Sequence, residues 1–185
     1  MPKESRKPEL RFDGFEDAWE QRKVGEMIED YVEKTIIQNQ FPVLTSSQQQ
    51  GIVLQEEYFA DRQVTTDDNI WLLCFYQKDI LHIGVEATQI RSFFNRNDII
   101  DKGIISYYYP VFKANNADSN FLLRRLNHGT KSQLSFIAEG TGQKVLAHSK
   151  FKNIAVYVPN IEEQKSIGSF FENLDTLITL HQRKP

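Results

Sequence analysis

Near the end of the chain the apolar positions fall into a helical rhythm. Ile167, Phe170, Phe171, Leu174, Leu177 and Ile178 recur at intervals of one, three and four, with His181 as a weaker continuation. That spacing gathers them on one stripe of an α-helix. Pro159 blocks helix before the stripe, and Asn160 is suited to cap it. Glu162 and Glu163 stand in the first turn, where the helix dipole favours acid; His181, Arg183 and Lys184 stand at the other end, where it favours base. The pattern predicts a helix from about Ile161. Its stripe needs a cover, either the protein's own core or a partner helix.

Upstream the pattern is shorter and mixed. Residues 1–12 are polar with two prolines and predict a loose lead-in. Residues 15–28 predict a short docking segment and helix anchored by Trp19 and Val24, with a core position the simpler use of Trp19. A strand is expected at 41–45, a polar loop at 46–51 and a strand at 52–54. The β-branched and aromatic run 99–112, broken at Lys102 and Gly103, predicts a strand pair. A turn follows at 115–120, then a helix from Phe121 continuing toward Phe136, a turn at 140–142 and a last strand at 151–158. The fold class expected is α+β: a mixed or antiparallel sheet with flanking helices, followed by the terminal helix.

Bulk composition narrows this picture only a little. The 185 residues suit one domain with an appendage, and 13 Phe and 7 Tyr supply an adequate core. The single Cys74 forms no internal disulfide, which fits a reducing cytoplasm. No apolar signal segment opens the chain, and the longest apolar run, 71–76, is far too short for a bilayer. A net charge of −3 argues mildly against a standalone nucleic-acid binder, but not against one whose cations cluster on one face.

Three blocks carry a resemblance. The run 159–184, Pro-Asn-Ile-Glu-Glu-Gln-Lys-Ser-Ile-Gly-Ser-Phe-Phe to His-Gln-Arg-Lys, resembles the conserved spacer of specificity (S) subunits of type I restriction-modification enzymes. Pro-Glu-Leu-Arg-Phe-Asp-Gly-Phe-Glu-Asp-Ala-Trp-Glu at 8–20 is similar to their opening, and Asp-Lys-Gly-Ile-Ile-Ser-Tyr-Tyr-Tyr-Pro-Val-Phe at 101–112 to a strand inside their target recognition domains. The resemblance implies a lead-in at 1–14, one target recognition domain at 15–158 and a truncated spacer helix at 159–185. It implies a non-catalytic subunit without cofactor or metal. Its expected partners are double-stranded DNA, methyltransferase subunits and, through them, restriction subunits, with a possible homodimer through the terminal helix. The expectation is half a subunit at most: an engineered fragment, a truncated reading frame or a silent cassette.

The residues agree with a subunit that reads rather than reacts. No Pro-Pro-aromatic loop or glycine-rich cofactor loop of an amino-methyltransferase is present, and Gly140 to Val145 lacks the P-loop pattern. The four histidines lack metal-ligand spacing, and Glu163-Gln164-Lys165 mimics a nuclease motif without its upstream Pro-Asp. Amides pair with adenine and guanidinium or ammonium groups with guanine, while hydroxyls position on phosphate. Candidate DNA contacts are therefore Ser46, Ser47, Gln48, Gln49 and Gln50, then Thr141, Gln143 and Lys144, where the family often carries a similar Gly-containing loop. The plainer readings are a solvated loop and a tight turn. Arg91, Arg96 and Lys102 complete the set; Lys131, His148 and Tyr107 to Tyr109 are weaker, the tyrosines more a matter of packing.

One stretch departs from the family. Where the S subunits tend to carry Pro-Lys-Gly-Tyr-Phe-Thr-Tyr-Arg-Ser-Arg-Ser-Asp, residues 76–88 run Tyr-Gln-Lys-Asp-Ile-Leu-His-Ile-Gly-Val-Glu-Ala-Thr. Permitted codons for that run, read two bases on, spell the family segment. A compensated frameshift accounts for this; a naturally divergent recognition strand is the alternative.

Overall fold

The chain's first strand pairs with its last. In the computed structural model, which describes residues 7–47, 49–59, 73–77, 80–83, 93–106, 110–130, 132–134 and 148–182, β1 (Glu20–Lys23) lies antiparallel to β10 (Ala155–Val158). Between them come β2 (Ile28–Asp30), β3 (Leu44–Ser47), β4 (Gly51–Leu54), β5 (Leu73–Tyr76), β6 (Ile80–Ile83), β7 (Phe93–Arg96), β8 (Lys102–Ile105) and β9 (Val111–Ala114). Among the described residues the helices are a single turn, α1 (Gln55–Tyr58), then α2 (Ser119–Gly129), a helical stretch at 132–134, α3 (His148–Lys152) and the long α4 (Ile161–Gln182). The expected α+β architecture is present.

The central sheet has strand order β2-β9-β6-β7, all antiparallel. Period-two alternation gives it two packed faces. On one face Ile80, Phe94 and Phe112 meet Phe121, Leu122 and Leu126 of α2 and Phe151 of α3. The Phe151 ring stacks on Phe94 at 5.4 Å and tilts against Phe112 at 5.7 Å. Each such ring buried contributes about 1.5–3 kcal/mol. Val111 points the other way and joins Leu44, Ile52, Phe75 and Ile105 in a second core. Over that core lie the β3–β4 hairpin and the β5–β8 pair, linked by the parallel bridge Val43–Ile104.

Several local expectations are corrected. Residues 15–28 form no α-helix: β1, a 3-10 turn at Val24–Glu26 and β2 occupy the segment, because β10 and β9 offer strand partners that no local pattern announces. Trp19 does pack on the core, edge-on to Phe121 at 6.0 Å. Ser46 and Ser47 are strand residues rather than loop residues, paired with Ile52 and Gly51. The 99–112 run yields two strands that do not pair with each other: β8 pairs with β5, and β9 with β2 and β6. The helix expected from Phe121 starts at Ser119, capped by the Asp118 carboxylate accepting from the Phe121 amide at 2.9 Å, and breaks after Gly129, with helix again at 132–134 on the way toward Phe136. Phe151 belongs to α3, so the last strand begins only at Ala155.

The lead-in is not loose where it is described. Arg11 makes a two-pronged ion pair with Glu163, at 2.9 and 2.7 Å, and Phe12 meets Phe170 edge-on at 5.7 Å. Glu163 is buried and Arg11 half-buried, with side-chain exposures of 1% and 11%. The Glu163 hydrogen bond raises the Arg11 pKa above its ordinary value. Asn160 caps α4 as expected, its side-chain oxygen accepting from the Glu163 amide at 2.9 Å.

Candidate nucleic-acid interface

The β3–β4 hairpin presents amides at its tip. Gly51 takes a φ of +73°, the left-handed conformation that glycine adopts at no steric cost, and closes the turn. The Ser47 hydroxyl accepts from the backbone amides of Gln49 at 3.2 Å and Gln50 at 3.3 Å. Ser47 is buried, while Gln49 and Gln50 are exposed. Serine at this place therefore folds the turn instead of reaching out of it. Ser46 is likewise engaged: its oxygen accepts from the Asn95 amide at 2.7 Å, and the same Asn95 nitrogen donates to the Ser47 carbonyl at 2.9 Å. Of the five candidates in this stretch, the structure leaves Gln49 and Gln50 at the exposed tip, uses Ser46 and Ser47 to hold it, and Gln48 lies outside the described residues.

β3 and β8 run parallel through their bridge, so the hairpin tip and the C-terminal end of β8 point the same way. At the other end of this layer sits Lys102. Its ammonium pairs with Glu33 at 2.7 Å and lies over the rings of Phe41 at 4.4 Å and Tyr76 at 4.5 Å. Tyr31 also donates to Glu33, as does Tyr76 at 2.6 Å, and Lys113 stands 4.0 Å above the Tyr31 ring. The Lys102 hydrogen bond, then those from Tyr31 and Tyr76, lower the Glu33 pKa to about 2. The carboxylate in turn raises the Tyr31 hydroxyl pKa. Lys102 is thus the clamp of a polar-aromatic cluster away from the hairpin tip.

Arg96 is also committed internally. Its side chain is 6% exposed and bonds Asp98 at 2.9 Å, Ser119 at 3.1 Å and Asn120, with Glu172 of α4 at 3.8 Å. Arg91, Thr141, Gln143 and Lys144 lie outside the described residues, as do Lys131 and Tyr107 to Tyr109. The divergent run 76–88 supplies β6, an interior strand whose Ile80 is fully buried. Among the described residues no group of three metal-ligating side chains occurs, and no helix is long and apolar enough to cross a membrane.

The terminal helix is docked at its root and bare beyond it. Ile167 packs against the first core. Gln164 is buried, accepting from the Asp118 amide at 3.1 Å and donating to the Pro159 carbonyl at 2.9 Å. Gly168 lets α4 approach α2 so closely that a Cβ there would stand 2.3 Å from the Asp118 carboxylate and 3.2 Å from the Phe121 amide nitrogen. Asn120 bonds Glu172 at 2.9 Å, and Arg124 pairs with Asp175 while lying 4.7 Å over the Phe171 ring. Past this point the stripe is open: Phe170 is 50% exposed, Phe171 37%, Leu174 40%, Leu177 54% and Ile178 47%. The expectation that Phe170, Leu174 and Leu177 are buried against another helix is not met within one chain, because α4 projects past the domain that covers its first turns.

The residues that organise this site escaped the sequence reading. Asn95 sits in a strand, where asparagine is disfavoured; that mismatch is the signal that marked it. Asn127 of α2 accepts from the Phe94 amide at 2.9 Å and donates to the Phe94 carbonyl at 3.0 Å, replacing a strand neighbour at the sheet edge. Asn97, fully buried, ties the carbonyls of Phe75 and Ile100 at 3.0 Å each. Asparagines flank β7 on every side, and no periodicity predicts them.

Comparison with known proteins gives a consistent result. A family model described as type I restriction modification DNA specificity domain matches residues 16–185. The type I restriction-modification S subunit from M. genitalium is 12% identical, covered over 97% of this chain and 46% of that one, with a TM-score of 0.55. A chain from a type I R-M system, solved for its complex assembly and conformational transition, is 15% identical over 97% and 43% of the two chains, with a TM-score of 0.54. The HsdS subunit from Thermoanaerobacter tengcongensis is 14% identical over 97% and 42%, with a TM-score of 0.49. At such identities the likeness to the first two is one of fold. The chain spans less than half the length of each. No curated protein sequence matches it.

Proposed function

The chain belongs to the type I restriction modification DNA specificity domain family, and from that premise we propose that it is a non-catalytic DNA-reading module for one half of a bipartite target. Residues 15–158 form the target recognition domain and 159–185 the spacer helix. The observation that carries this reading is the hairpin tip: two exposed amides, Gln49 and Gln50, on a turn whose backbone amides are already satisfied by Ser47. Side-chain amides carried on such a backbone-pinned turn suit bidentate pairing with adenine in the major groove. The open stripe of α4 supplies the second function. Phe170, Leu174 and Leu177 dock on a second spacer helix, from another copy or another half-subunit, and the assembled pair receives methyltransferase subunits and through them restriction subunits.

Duplex selection from a randomised pool, followed by titration at several salt concentrations, tests the reading. Sequence-preferring binding with a linear dependence of log affinity on log salt is expected. Gln49→Ala or Gln50→Ala relaxes base preference by roughly 1–3 kcal/mol. Binding that ignores both substitutions overturns the hairpin as the reader.

A second reading has its own support. Two of the expected cations, Arg96 and Lys102, are consumed inside the fold, while the apolar stripe of α4 stands open. A remnant that keeps helix-mediated interaction and no longer holds DNA fits those facts. Self-association or methyltransferase co-purification without any salt-dependent duplex binding selects it.

A further inference from the structure

Adjacent side chains on one strand grip the reading hairpin and the spacer helix from opposite sides of the sheet. On β7, Asn95 faces the second layer and bonds Ser46 and Ser47 at 2.7 and 2.9 Å. Arg96, the next residue and therefore on the other face, bonds Ser119 and Asn120 at the start of α2 and reaches Glu172 of α4. Asn127 fixes the same strand through both backbone groups of Phe94. Among the described residues β7 is a sheet edge, and side chains do here what a neighbouring strand does elsewhere.

We propose that Asn95 is a specificity-determining positioning residue: it tethers the β3–β4 hairpin to β7 and so sets where Gln49 and Gln50 stand relative to the duplex and to α4. This rests on the reading of the hairpin as a DNA contact. The orientation of the Asn95 amide follows from its partners. The Ser47 carbonyl only accepts, so the nitrogen faces it. One amide nitrogen thereby spans Ser46 and Ser47 just ahead of the turn, where the Ser47 hydroxyl in turn holds the amides of Gln49 and Gln50. Asn95 acts through these residues and itself touches no base. Releasing the tether leaves the Ser47 contacts of the turn in place but loosens the β3–β4 pair where it lies against the sheet.

The test uses the whole chain with Asn95→Ala and with Asn95→Leu, which restores bulk without donors. Discrimination is read as the affinity ratio between the selected duplex and a base-substituted competitor. Each variant is expected to lose roughly tenfold of that ratio while the salt slope is unchanged. Placed on top of Gln49→Ala/Gln50→Ala, Asn95→Ala is expected to cause no further loss, since it acts only through those amides. A further loss makes Asn95 a direct contact, and full retention of the ratio in the single variants makes it inert; either result overturns the proposal. Amide hydrogen exchange is the second arm. Protection at residues 51–54 is expected to fall about tenfold in Asn95→Ala while that of α2 holds; unchanged protection overturns the tether. If the wild-type chain selects no duplex, the hairpin reading fails, and the specificity role falls with it, while the exchange arm still judges the tether by itself.

Discussion

Replacing Gly168 by alanine should destabilise the protein, although the same change at most helical glycines stabilises. In α4 the intrinsic gain is about 1 kcal/mol. Against it stands the space at the α2–α4 crossing. A Cβ at 168 would stand 2.3 Å from the Asp118 oxygen, 2.9 Å from the Asn120 Cβ and 3.2 Å from the Phe121 nitrogen. The Asp118 carboxylate does not retreat freely, because it is the N-cap of α2, accepting from Phe121 at 2.9 Å. Moving it forfeits the cap, about 1 kcal/mol; moving α4 instead loosens Gln164 and Ile167 and incurs an overpacking cost of about 1–3 kcal/mol. The net runs from break-even to a loss of about 2 kcal/mol, and at this chain length each kcal/mol lowers Tm by about 2–4 °C. Urea unfolding monitored by far-UV circular dichroism measures it. Asp118→Ala should cost its cap alone and should then make Gly168→Ala milder, a positive coupling between the two sites. Stabilisation by Gly168→Ala in the wild-type background would refute the close-approach argument.

Other expectations follow from the same contacts. Arg11→Ala strands the buried Glu163 carboxylate and should lower the urea midpoint, whereas a paired Arg11→Met/Glu163→Leu replacement should recover most of the loss. Glu33 contributes stability that is complete above the usual carboxylate pKa of about 4.3 and is lost as pH falls toward its folded value of about 2; Glu33→Gln should flatten that acid limb in a pH series of melts. Leu174→Glu and Leu177→Glu should leave the monomer's melting curve nearly unchanged yet abolish any self-association seen by sedimentation, since both positions are about half exposed. Lys144→Ala should weaken binding to all duplexes alike and reduce the salt slope by about one unit.

The terminal helix was legible because its information is local. Stripe, cap and dipole charges all lie within 159–184, and Asn160 caps as the pattern says. The strands were legible only in part, at 52–54 and near 44 and 155, because lengths of three or four residues leave little periodicity and most partners are remote. Residues 20–30 form strands only through β10 and β9. For the site, exposed glutamines could be picked by chemistry, but Ser46 and Ser47 looked like phosphate ligands until the structure showed where their oxygens point. Arg96 and Lys102 looked like free cations because a sequence does not display the carboxylates that meet them, Asp98 and Glu172 for one and Glu33 for the other. Exposure of the α4 stripe is a matter of how far the helix outruns its domain, a length that no residue type encodes.

The pairing of β1 with β10 sets a schedule for the chain as it is made. Glu20 faces Val158, so β1 has no sheet to join until nearly the whole chain has emerged, roughly 7–30 s later at ordinary rates of synthesis. Arg11 and Phe12 wait even longer for Glu163 and Phe170. A strand left without neighbours for that time is a template for the wrong partner. This one reads Glu-Gln-Arg-Lys, four polar residues, three of them charged, which keep it soluble during the delay. The apolar lead-in side chains, Leu10 and Phe12, then become the exposed hazard of the nascent chain, and the root of α4 is the last place in the fold to close.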